Sequence, residues 1–162
     1  MLIMAARQKR MKKHKLFNKI DISFLVPFVE DINLDKVVQE IDRKIPPRLF
    51  CEIDVVYVGK FDFLDEDGLC SKFMDNAIYL SNSTFYESDV VYDITMALSE
   101  SIEKKYTHLF YNDDGVIEEL EKHTEDLVSV ICEYLIEDRK KVKEDLPSIG
   151  KILEELMRYG SR

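Results

Sequence analysis

No stretch of this chain approaches the ~18–20 consecutive apolar residues needed to cross a bilayer, so a membrane span is not expected. Met1 to Lys15 (MLIMAARQKRMKKHK) also lacks the form of a secretory signal. Its charges follow a short apolar start, and no long apolar segment comes after them. These absences point to a cytoplasmic protein. The chain has only three cysteines, Cys51, Cys70 and Cys132, widely spaced and without a CxxC pair. That pattern excludes a disulfide framework and a cysteine zinc site, and predicts small apolar residues that are mostly buried. Five glycines are too few and too scattered for a phosphate-cradling loop. Histidine is equally scarce, with only His14, His108 and His123. No Ser/His/Asp signature is present. Asp65-Glu66-Asp67-Gly68 fails as a calcium loop, because the first and twelfth positions of that register are Phe63 and Met74. No repeat, low-complexity tract or Gly/Ser linker divides the 162 residues, which suits one domain.

What is present is a core-forming composition, 46% hydrophobic, with charge distributed unevenly. Residues 1–15 hold Arg7, Lys9, Arg10, Lys12, Lys13 and Lys15 and no acid. Against a formal net charge of −9, this arm of +6 leaves −15 on residues 16–162. An acidic body repels phosphate, so nucleic acid is expected to meet the chain only through the arm. The same arm suits an acidic protein partner or the body of another copy.

The pattern of elements predicts an α+β fold with a small mixed sheet packed on helices and a helical C-terminal half. Asn33 caps a helix carrying Leu34, Val37, Val38 and Ile41, stopped by Pro46-Pro47. Leu49 to Val58 and Ala77 to Leu80 are expected strands, Phe61 to Leu64 a short strand, and Asp65 to Gly68 a turn. A helix from a Ser88 cap to Tyr106 follows, then a turn at Asn112 to Gly115. One long helix over Val116 to Leu135 comes next, then a link from Arg139 to Asp145, and a last helix from Pro147 to Gly160. Tyr57, Tyr79, Phe85, Tyr86 and Tyr92 are expected mainly in the core.

At about 100° per residue, Val90, Val91, Ile94, Leu98 and Ile102 share one side of the Ser88–Tyr106 helix. Met96 and Glu100 lie nearly opposite, one turn apart, with Ala97 between the two faces. A HExxH zinc helix places its ligands in this way: imidazoles at i and i+4 hold the metal, and the glutamate after the first activates water.

Several segments in order, VYVGKFDFL at Val56 to Leu64, AIYLSN at Ala77 to Asn82, Asp93-Ile94, Ser101-Ile102-Glu103 and Tyr111-Asn112-Asp113, resemble a zincin-like metallopeptidase family of tailed phages and bacteria. The resemblance covers roughly residues 50 to 130 and implies a zincin-like domain over 16–162, in a virion or a phage-infected host. Its DIVHEIAHSIE helix falls on Asp93 to Glu103. The first histidine position is then Met96, the catalytic glutamate Ala97, and the second histidine Glu100. A later acid, the third-ligand candidate, falls on Glu119.

A thioether is a poor zinc ligand and alanine cannot act as a base. The resemblance therefore implies a degenerate metallopeptidase with no cofactor, acting in binding or assembly with a protein partner or with itself. The competing reading is an active metal-dependent hydrolase with non-standard ligands. Its candidates are Glu100, Glu119 and His123, the last two at i and i+4, with His108 nearby.

Overall fold

The structure, a computed structural model, describes residues 13–160. Two hairpin turns frame its sheet. Lys15–Leu16 (β1) turns through Phe17 and Asn18, both at positive φ, into Ile20–Phe24 (β2). Ser71–Met74 (β4) turns through Asp75 and Asn76, also at positive φ, into Ala77–Ser81 (β5). The second is a two-residue turn, and the first adds Lys19 after its two left-handed residues; turns of this hand match the natural twist of paired strands. The left-handed backbone at Phe17 is compensated by its ring, which meets Phe50 edge-on at 5.0 Å.

Leu34–Lys44 (α1) forms the crossover from β2 to the parallel strand Val55–Gly59 (β3). Asn33 caps it as expected, its side chain accepting from the Lys36 N–H, and the chain leaves through Ile45 before the two prolines. The sheet order is β1-β2-β3-β5-β4, with β2, β3 and β5 parallel and both edge strands antiparallel to their neighbours. The fold is thus mixed α+β, as the element pattern predicted.

Several expected boundaries need correction. Leu49 to Val58 is not one strand. Pro47 presets a 3-10 turn, Pro47–Phe50, which buries Leu49 and Phe50 together, and β3 starts only at Val55. Phe61 to Leu64 is not a strand but enters a short helix, Asp62–Asp67 (α2), which Gly68 closes at φ 65°. The long helix over Val116 to Leu135 is two: Asp114–His123 (α5) ends at Thr124, φ 52°, and Leu127–Ile136 (α6) starts from its own Asp126 cap.

The central helix is Glu87–Lys105 (α3), which starts after Tyr86, so Ser88 lies within its first turn rather than capping it. Thr107–Tyr111 (α4) occupies the chain before the expected turn. The Arg139–Asp145 link is itself helical (α7), capped by Asp138, and Pro147–Gly160 (α8) ends the described chain. The inward sheet face, with Ile20, Ile22, Val56, Val58, Ile78 and Leu80, joins α1, α3 and α6 in one core. Among the described residues no helix is long and apolar enough to cross a membrane.

The cysteine expectation fails for two of three. Cys132 on α6 is buried, but Cys51, which closes the 3-10 turn, and Cys70, between α2 and β4, are exposed. Turns place even small apolar residues on the surface.

Candidate functional site

α3 packs against β4 and β5 on one side, and against α1 and α6 on others. Ile94 and Leu98 are fully buried, so the predicted register of the apolar stripe holds. Burial extends beyond that stripe to Thr95, Ala97, Ser99 and Ser101. These small side chains let neighbouring backbones approach closely. The three hydroxyls donate to carbonyls of their own helix, Thr95 to Val91, Ser99 to Thr95 and Ser101 to Leu98, so none is left unpaired in the core.

One row remains outside this packing: Tyr92, exposed, and Met96 and Glu100, half-buried, at successive turns. Glu100 reaches the edge strand β4, where its carboxylate accepts from the Phe73 N–H. Burial nevertheless raises the Glu100 pKa, because desolvation outweighs that hydrogen bond and the nearby Lys72 charge. Ala97 is not between the faces as the sequence pattern suggests. It is 0% exposed and belongs to the core. The position where the resemblance places a catalytic base is therefore sealed from solvent.

Glu119 is engaged elsewhere. Its two carboxylate oxygens accept from the backbone N–H groups of Ser148 and Ile149, and so cap the N-terminus of α8 across 29 and 30 residues of sequence. α5 and α8 cross closely here: a Cβ at Gly115 would run into the Ser148 side chain. His123 is exposed at the end of α5, and His108 is exposed on α4. Among the described residues no three His, Cys, Asp or Glu side chains are grouped as a metal-ligand set. In the register that the resemblance implies, Met96, Ala97 and Glu100 do not fit zinc: they offer a thioether, a buried methyl and a carboxylate held by β4 where a zinc helix has two imidazoles and a base.

Of the basic residues counted with the arm, Arg7, Lys9, Arg10 and Lys12 lie outside the described residues. Lys13 is exposed. Lys15 opens β1, and its ammonium lies 3.6 Å from Asp21. His14 Nδ1 stands 3.3 Å from the Asp35 carboxylate.

Sequence reasoning missed two features. The first is Asp93, buried on α3 beside Thr84. Desolvation, followed by the Asp89 charge, pushes its pKa to about 7, against a lowering hydrogen bond from Thr84. The second is an apolar surface on two adjacent loops at the C-terminal ends of the parallel strands. The Val29 N–H donates to the Asn82 carbonyl, and the Asn82 amide donates to the Pro27 carbonyl, so the loop after β2 lies beside the loop after β5. Leu25, Val26 and Val29 from the first and Phe85 and Tyr86 from the second are exposed, Val29 at 73%. Phe85, Tyr86 and Tyr92 thus depart from the expected core placement, while Tyr57 and Tyr79 are half-buried on the outer sheet face, where Tyr79 meets the rings of Tyr57, Phe61 and Phe63. Alternation and helical spacing mark which side of an element is apolar. They do not show that a loop lacks a layer above it.

A groove of about 520 Å³ runs between α1, the start of α3 and the end of α6. Lys36 and Lys44 face Glu40, Glu87, Asp89 and Glu137 there, without a convergent nucleophile and base. Compared with protein-family models, with curated proteins and with solved structures, the chain matches none of them.

Proposed function

We propose that the chain is a catalytically inactive, zincin-like module that acts by binding a protein partner or by assembling with copies of itself, in a phage virion or an infected host cytoplasm. The observation that carries this reading is the state of α3. In the register that the resemblance gives, the base position, Ala97, is completely buried and Met96 and Glu100 are half-buried, which supports a scaffold without a base or a pair of imidazoles.

Binding is the role left to such a scaffold, and the exposed apolar loops around Val29 and Phe85 are the surface best suited to it. Contiguous apolar side chains on a water-facing surface commonly mark interaction sites. The basic residues Arg7, Lys9, Arg10 and Lys12 supply a second means of attachment, to an acidic protein surface or to nucleic acid.

Metal analysis of the purified chain, with a peptidase assay run with and without chelator, tests the inactive half. No stoichiometric zinc and no chelator-sensitive cleavage are expected; tight zinc with cleavage overturns it. Sedimentation of the chain and of a Val29→Asp/Phe85→Asp variant tests the binding half. Self-association of the native chain that the variant loses supports assembly. A native chain that stays monomeric and retains no virion or host protein that the variant fails to retain overturns it.

A further inference from the structure

Cys51 and Lys105 are 54 residues apart in sequence, yet their reactive atoms nearly touch. Cys51 ends the 3-10 turn, and Lys105 ends α3. Lys105 Nζ stands 2.7 Å from Cys51 Sγ. That separation is ordinary for nitrogen on oxygen, but it is close for nitrogen on the larger sulfur atom, and it is the span that a single bridging oxygen occupies. Glu52 Oε1, 3.5 Å from the same ammonium, and the ring of Tyr106, with its centroid 5.5 Å away, hold the lysine over the thiol. Both partners reach solvent, Cys51 as an exposed residue and the Lys105 side chain at 36% exposure. The other two cysteines differ. Cys132 is buried and Cys70 has no lysine contact of this kind among the described hydrogen bonds.

We propose that Cys51 and Lys105 form a redox-sensitive modification site that a peroxide converts to a covalent S–O–N bridge. The atoms balance with hydrogen peroxide as oxidant. One thiol, one ammonium and two peroxides give one S–O–N bridge, three waters and a released proton. The S–H bond and two ammonium N–H bonds break, one S–O and one O–N bond form, and both peroxide O–O bonds are reduced. Sulfur enters this chemistry through the first step of thiol oxidation, and a thiol reductant reverses it. The bridge ties the turn that follows α1 to the end of the central helix, where no backbone hydrogen bond joins them among those described.

The test uses the full chain, purified under reductant, treated with hydrogen peroxide and mapped by mass spectrometry without reductant. The expected product is one linked pair of peptides, holding Cys51 and Lys105, heavier than their sum by one oxygen and lighter by two hydrogens. Dithiothreitol separates the pair again. Cys51→Ser and Lys105→Arg each abolish the product, and both replace exposed side chains, so the fold is kept. Peroxide also raises the melting temperature of the native chain, reversibly, and leaves that of Lys105→Arg unraised. Three results would overturn the proposal: Cys51 carrying only added oxygens, a link that contains no oxygen, or Cys51 joined to Cys70 instead.

Discussion

Asp93 shows how one carboxyl can set a pH dependence. Its pKa is raised to about 7 in the fold, from an ordinary 3.8. Well below its ordinary 3.8, at about pH 3 and under, it is protonated in folded and unfolded chains alike and costs nothing. As pH climbs toward 7 the unfolded chain ionises first, so stability falls across that interval and stays reduced above it. The difference between the two values corresponds to roughly 4 kcal/mol at most. Asp93→Asn is therefore expected to gain stability over the native chain as pH rises from 4 to 8, with most of the gain present by pH 8, measured by urea denaturation at both. Thiol reactivity divides along the same physical line. Burial pushes Cys132 up to about 12, and burial followed by the Asp93 charge raises Cys70. Iodoacetamide on the folded chain is expected to label Cys51 fastest, Cys70 more slowly and Cys132 only after unfolding.

Helices in this fold depend on partners distant in sequence. α8 begins at Pro147, and its next two N–H groups are satisfied by Glu119 of α5 rather than by a local cap. Glu119→Ala should cost about 1–2 kcal/mol, the range of a lost helix cap, and Glu119→Gln less, since an amide oxygen still accepts. The readout is the denaturation midpoint. A metal-ligand role would instead predict a change that depends on added zinc. α3 carries the complementary case. Placing the two histidines of a zinc helix on its outer row, Met96→His with Glu100→His, should be tolerated because both positions are half-buried. Ala97→Glu should destabilise by several kcal/mol, on the order of 3, because a side chain with no exposure gains bulk and a charge inside the core.

For the whole molecule, the outcome expected is a chain whose melting temperature is unchanged by chelator and by added zinc. A ligand that bound the folded state alone would raise it. The described residues offer zinc no grouped set of ligands, and the positions that resemble a zincin helix are divided between the core, the β4 edge and the α8 cap. With −15 on residues 16–162, any association of the basic arm with such a body is expected to fall with added salt. Gel filtration at low and high ionic strength, with the intact chain and with residues 1–12 removed, reads that dependence.

The sequence by itself determined the α+β class, the Asn33 cap, the stop at Pro46-Pro47 and the apolar stripe of α3. Each follows from local backbone preference or from period, and both are properties of neighbouring residues. The break of the predicted long helix at Thr124 was hidden, because apolar spacing continues across it. The 3-10 turn was hidden too, since its β-branched surroundings read as strand. What tertiary structure alone decided is which acids and which small residues have neighbours on every side. Ala97 is sealed because α3 is packed on several sides at once, Glu119 is a cap because α8 returns across α5, and Cys51 meets Lys105 because a turn and a helix end converge. Those contacts join residues 29 to 54 positions apart. Local pattern carries no information about such distances, because they are set by how the layers pack.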